Sequence, residues 1–390
     1  MDKRIFKLGA AVCALVTAAF TNIYITQPIL PVLEAEFGVS LVQVSFTVSF
    51  VILGIVVSNL FFGWLSDRIS IHPILIGGGT MVAAGGLVCA WTHNFTLLVA
   101  ARLLQGLFLP ALTTSLAAWL AKNLPKEKLS VVMGTYVAAT VLGGLGGRLL
   151  GGFIHPPLHW RYAFVSASAL IVVTTVFAVL ALPRPQDSEA SQARPGEVGF
   201  GGFKALLFSR DLFVLYCCGA AGLLIFSPIF NYLPYRLAEA PFQLSTERIT
   251  LVYLVYILGI FIGPLAGQFS RQAGAGKTMM LGCLVLAAAF CLLLIPALWA
   301  VILGLLALCG GFFTIHATAV GLLNEKLTRG QGQANALYVL FYYMGGWIGI
   351  TAAGYAHEFL GWQGVVFTVA LFLVIPLYTG FSEHRAGKRS

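Results

Sequence analysis

The chain has 390 residues, of which 59% are hydrophobic and only 9% charged, and a formal net charge of +9. Soluble domains are about 45–50% apolar and about 25% charged, so a water-soluble fold is excluded, and with it a nucleic-acid reading of the positive charge.

A helix needs about 20 residues to cross the hydrocarbon core. The basic stretch Met1 to Lys7 leads straight into an apolar run too long for a signal-peptide core, which reads as a first membrane helix rather than a cleaved signal. Twelve stretches qualify as spans: 8–31, 41–65, 73–92, 95–121, 130–154, 161–182, 211–237, 248–269, 277–296, 298–323, 332–356 and 363–382. With both termini cytoplasmic, 18 of the 23 basic residues lie inside, three (Arg161, Arg236, Arg248) outside and two (Arg102, Arg148) within spans. That is the bias of the positive-inside rule. The seven cysteines all lie in apolar runs and read as small hydrophobic residues. No metal cluster, catalytic constellation or ATP-binding loop is visible, so an enzyme and a cofactor are not expected.

Along the chain, the second span ends in Gly63-Trp-Leu-Ser-Asp67-Arg68-Ile-Ser-Ile-His72. Gly63 suits close helix approach. Asp67 suits either a turn cap or the positive end of a neighbouring helix, such as one beginning near Gln331. In the fourth span Arg102, Gln105, Gly106 and Thr113 share one helical face. Arg102 lies roughly 10 Å deep at about 1.5 Å per residue. It must therefore face a cavity or a partner, or else snorkel outward. The fifth span carries Gly134, Gly143, Gly147, Gly151 and Gly152, with Arg148 among them; such glycines permit close packing and bending.

The stretch Pro183 to Gly202 is rich in Pro, Gly, Ser and charge and reads as a linker. The chain thus divides into 1–182, a cytoplasmic linker over 183–210, and 211–390. Tyr136, Gly143, Gly144, Gly147, Gly152 and Trp160 recur as Tyr338, Gly345, Gly346, Gly349, Gly354 and Trp362, each 202 residues on. Gly63-Trp-Leu-Ser66 is echoed by Gly267-Gln-Phe-Ser270. Two six-helix repeats of one topology are implied, related by an axis along the membrane normal.

These segments resemble the major facilitator superfamily. The Gly63 loop is similar to its motif A, G-x-L-x-D-R-x-G-R-K, with Ser70, Ile71 and His72 where glycine and two basic residues are usual. Arg102-Leu-Leu-Gln105-Gly106 resembles motif B, R-x-x-x-G. The fifth span matches every glycine of motif C, G-x8-G-x3-G-P-x2-G-G, with Arg148 at the proline position. Thr26-Gln-Pro-Ile-Leu-Pro31, Gly143 to Arg148, Phe230 to Leu237, Gly311-Phe-Phe-Thr-Ile-His316 and Tyr338 to Tyr343 resemble its acriflavine-sensitivity (YnfM-like) branch.

The resemblance implies an all-α integral membrane fold of twelve helices in two six-helix bundles, in a bacterial-type cytoplasmic (inner) membrane. It further implies a monomer driving proton-coupled efflux of a small molecule. Family helices 1, 4, 7 and 10 line the cavity, with 2, 5, 8 and 11 at the interface. The corresponding cavity residues are Asn22, Gln27, Arg102, Gln105, Thr113, Arg148, Phe226, Phe230, Asn231, Tyr253, Tyr256, His316, Tyr338 and Tyr342. Proton coupling is assigned to His316, Glu34 and Arg102, with a simply hydrogen-bonded His316 as the alternative. Of the fourteen acidic residues, Glu34, Glu239, Glu247 and Glu358 fall at outer ends and the rest are placed in the cytoplasm. With arginines as the embedded charges, the substrate is expected to be amphipathic and anionic, zwitterionic or polar neutral. An importer of a nutrient or anion, or a lipid flippase, on the same fold remains open.

Overall fold

A computed structural model describes residues 3–182, 200–327 and 330–386. The expected linker falls largely outside these residues, at 183–199. The helices are α1 Lys3–Tyr24, α2 Leu30–Phe37, α3 Leu41–Leu65, α4 Ile71–Trp91, α5 Phe95–Leu112, α6 Thr114–Asn123, α7 Lys126–Ile154 and α8 Arg161–Ala181. They continue as α9 Phe200–Leu207, α10 Arg210–Ala238, α11 Thr246–Val252, α12 Leu258–Ala273, α13 Ala275–Leu294, α14 Leu298–Glu325, α15 Gln331–Leu371 and α16 Val374–Ala386.

Eleven apolar helical stretches are long enough to cross a membrane among the described residues, and the last, Gln331–Ala386, runs to 56 residues. At about 1.5 Å per residue that is far more than one bilayer thickness. It changes direction at Gly361, whose φ of 59° and ψ of −147° lie outside the helical region and suit glycine. Two crossings follow, and the total is twelve.

Four spans are broken where the sequence reading has each as one piece, the twelfth at Phe372–Leu373 between α15 and α16. The first ends as α1 at Tyr24, passes through a 3-10 turn at Gln27–Ile29 and resumes as α2. Pro28 accounts for the break, because a proline ring clashes with the carbonyl four residues earlier, here that of Tyr24. The fourth span contains Pro110 and breaks at Thr113, between α5 and α6. The eighth is interrupted by a 3-10 stretch, Tyr253–Ile257.

The residues gather into two compact units. One holds α1 to α8 together with Thr246–Tyr253. In it α1 packs on α7 and α8, α5 on α3 and α4, and α4 on α8. Where α3 crosses α5, main chain meets main chain: a Cβ on Gly54 would lie 2.6 Å from the Leu107 nitrogen. The glycines of α7 do the same against α1, with Gly143, Gly147 and Gly151 seated on the carbonyls of Thr17, Thr21 and Ile25. Gly134 has open space around it, so the motif C stripe acts in packing only from Gly143 onward.

The other unit holds α9, α10 and the chain from Leu254 onward. Here α10 packs on α15 and α14, and α13 on α14 and α16. Gly345 and Gly349 sit on the main chain of Ala220 and Leu224 in α10. The repeat read at 202 residues is thus repeated in packing, α15 on α10 matching α7 on α1.

Candidate functional site

The break in α1 leaves main-chain carbonyls without helical partners inside the membrane, where no water can take them. Arg102, reaching across from α5, supplies the donors. Its Nε donates to the Thr47 carbonyl at 2.7 Å, one terminal nitrogen to the Asn22 carbonyl at 2.8 Å and Gln105 Oε1 at 2.7 Å, and the other to the Ile23 carbonyl at 2.8 Å. Gln105 in turn donates to Val82 O at 3.0 Å and Asn22 Oδ1 at 3.3 Å. Arg102 is completely buried. It therefore neither lines a cavity in this structure nor snorkels to the surface; it ties α1, α3 and α5 together.

Arg148, on α7, is also enclosed. It donates to Gln27 Oε1 at 2.8 Å and to the Gly144 carbonyl at 2.7 Å, and its guanidinium lies 4.3 Å from the Tyr24 ring centroid and 5.5 Å from that of Tyr253. The two embedded arginines thus hold the two sides of one helix break. Thr113 stands at the second break, its hydroxyl on the Leu109 carbonyl at 3.2 Å, and lies beside Tyr136 of α7.

The remaining expected cavity residues lie mostly in the second unit, brought together as an aromatic cluster. Phe226 stacks on Phe312 with centroids 4.0 Å apart and planes at 21°, and meets Phe230 at 4.8 Å and Tyr256 at 5.7 Å. Phe312 stacks in turn on His316 at 5.7 Å and 11°. Tyr342 lies 4.9 Å from the His316 ring, and Tyr338 Oη lies 3.0 Å from His316 Nδ1. Asn231, also on α10, is fully buried. Phe312 and Phe313 were not among the expected site residues, although a Phe-Phe pair three and four places before a histidine puts one ring on its helical face. A separate cavity of about 680 Å3 lies at one end of this unit, lined by Ser270, Arg271, Lys277, Thr318, Glu325 and His384 among others.

At the loop after the second span, Asp67 pairs with Lys122 at the end of α6, and Arg68 lies 4.0 Å from the Trp64 ring. Gly63 is not a close-approach point: the nearest atom to a Cβ there would be 3.9 Å away. Glu34 is half-buried on α2 and, among the described residues, makes no ion pair. Its neighbour Glu36 is the engaged carboxylate, accepting from Trp160 Nε1 and from Arg161 at 2.7 Å, with His159 at 3.7 Å. Glu36 thus sits with Arg161, one of the basic residues read as outer, and not with the cytoplasmic acids.

The profile of the Major Facilitator Superfamily matches residues 12–323. The chain belongs to this superfamily. Inner membrane transport protein YnfM of Escherichia coli strain K12 is 29% identical over 368 residues, which is 94% of this chain and 88% of YnfM. The uncharacterized MFS-type transporter YybF of Bacillus subtilis is 26% identical, over 92% of this chain and 89% of its own. Among solved structures, a bacterial homologue of the human lysosomal transporter Spinster, inward-facing and unoccupied, superposes with a TM-score of 0.79 at 13% identity, over 99% of this chain and 98% of that one. The chain is a secondary transporter of the superfamily and a multi-pass inner membrane protein, with a small molecule as its cargo.

Proposed function

We propose that this transporter carries a small amphipathic molecule with a flat ring out of the cell in exchange for protons, working as a monomer by alternating access between halves 1–182 and 211–390. The observation that carries the reading is the aromatic cluster around His316, in which stacked rings offer a flat apolar surface and a single imidazole offers a proton site. The glycine register of the fifth span supports export through its likeness to motif C. Through their likeness to motif A, Asp67 and Arg68 are assigned to a conformational switch, with Asp67 paired to Lys122 in this structure. Arg148, flanked by Tyr24 and Tyr253, is the positive element that favours an anionic or polar substrate over a cation, whereas Arg102 serves as a brace.

A thermal-shift panel on the detergent-purified protein tests this: naphthalene-2-sulfonate as the anion, tryptophan as the zwitterion, 2-naphthol as the neutral compound and ethidium as the cation. A ligand at one hundred times its Kd stabilises by about 2.7 kcal/mol. Stabilisation by the anion or the neutral compound, reduced in Phe226→Ala, is the expected result. Stabilisation by ethidium alone, unchanged in Arg148→Gln, would sink the substrate assignment. Inside-out vesicles that accumulate the same compound only with an acid interior support export; uptake by right-side-out vesicles with the acid side outside would make the protein an importer.

A further inference from the structure

Both units contain a tyrosine that reaches back to the preceding span, and they differ in what it finds there. Tyr136 on α7 and Tyr338 on α15 occupy equivalent places in the duplicated pattern, 202 residues apart. Tyr136 lies beside the Thr113 hydroxyl, 23 residues earlier (136 − 113). Tyr338 meets His316 Nδ1 at 3.0 Å, 22 residues earlier. The slot is the same to within one residue, and only the second unit fills it with a side chain that can take up a proton.

The surroundings leave Tyr338 as the directional partner of the imidazole. Phe312 covers one ring face and Tyr342 packs beside it. The Tyr338 ring is seated on Gly219 of α10, where a Cβ would come within 2.7 Å of the ring carbons. The titratable groups facing this pair are Tyr342 on α15, Cys218 on α10 beside Tyr338, Cys283 on α13 beside Cys218, and Tyr256, reached through Phe313. Among the described residues no carboxylate or cation contacts the His316 ring.

We propose that Tyr338 is a positioning residue for proton coupling, its hydroxyl donating to Nδ1 of neutral His316 and so fixing the Nε2–H tautomer. This rests on the reading of His316 as the coupling residue. A proton taken up at Nδ1 reverses the bond: the imidazolium donates, the tyrosine oxygen accepts, and the tyrosine O–H turns to another acceptor. Proton uptake is thereby converted into a change of hydroxyl direction at the face of α15. The first unit, with threonine in the slot, undergoes no such reversal, so the coupling chemistry is confined to the second.

The test is 15N NMR of histidine-labelled full-length protein in detergent, with the His316 signal identified by its loss in His316→Gln. The wild-type signal is expected to show the Nε2–H tautomer. Tyr338→Phe is expected to mix the tautomers and to move the His316 titration midpoint by about 0.5 pH unit or more, the scale of one lost hydrogen bond. Gly219→Ala, which displaces the Tyr338 ring and keeps its hydroxyl, is expected to move the midpoint too; Tyr136→Phe and Thr113→Val are expected to leave it in place. A tautomer and midpoint unchanged in both Tyr338→Phe and Gly219→Ala overturn the positioning role. Failure of the underlying reading looks different: the NMR changes appear, but proton-driven movement of the panel compound that wild type transports survives His316→Gln.

Discussion

Arg102 shows how much of this protein rests on one side chain meeting the main chain. Three of its four recorded bonds go to carbonyls, and these come from two helices. Each buried polar group left without a partner costs about 1–3 kcal/mol. Arg102→Ala is therefore expected to lower the thermal unfolding midpoint in detergent by several degrees and to weaken transport for every substrate, whatever its charge. Arg102→Lys should rescue little, because an ammonium cannot reproduce the planar fork that spans Thr47, Asn22 and Ile23. A lysine variant with wild-type unfolding and flux would show that the fan of carbonyls does not hold the helix. The sequence places this arginine on the right face at the right depth, with a cavity or a partner as its options. Which one holds depends on carbonyls that no side-chain pattern records, two of them at the helix break beside Pro28, 74 positions earlier (102 − 28).

Between helices, the decisive contacts are glycine against carbonyl. A β-carbon at Gly147 would run into the Thr21 carbonyl, whereas Gly134 has open space. Gly147→Leu is expected to abolish folded protein, seen as loss of a monodisperse peak in size-exclusion chromatography, while Gly134→Ala behaves as wild type. The opposite ranking would mean that the glycine register serves something other than the α1–α7 contact. The pattern of glycines was legible because it repeats at a fixed offset, and the repeat survives as packing in both units. Element ends were less legible. Pro28 and Pro110 are visible in the sequence, yet a span on hydropathy alone runs through them, because breaking a helix does not change how apolar it is. The aromatic cluster was partly legible: its α10 and α15 members, Tyr256 and His316 were expected, but Phe312 and Phe313 look like ordinary lipid-facing residues until the packing turns them inward.

For the whole chain, twelve crossings follow from splitting the last 56-residue stretch at Gly361. The consequence is open to direct test with reporter fusions. Green fluorescent protein after Ser390 is expected to fluoresce in the cytoplasm, and alkaline phosphatase joined at Gly361 to be active outside. A dark fluorescent fusion paired with an active phosphatase at the C-terminus would leave eleven crossings. The family was legible from three motifs and a duplicated pattern, since a bilayer permits few folds and this chain keeps the spacing of one of them. The substrate was not, because a ring-lined surface and a buried cation are each compatible with several cargoes.

The fastening at the α1 break has one further property. Every hydrogen-bond acceptor of Arg102 is a carbonyl or a carboxamide, and none of these gains or loses a proton between the acidic and the neutral side of a membrane. Its charge is balanced by fixed dipoles instead of by an acid. A carrier of the kind proposed here would bathe its interior in changing acidity at every turnover, and the joint of its first helix would be indifferent to that change, leaving one imidazole elsewhere to do the sensing.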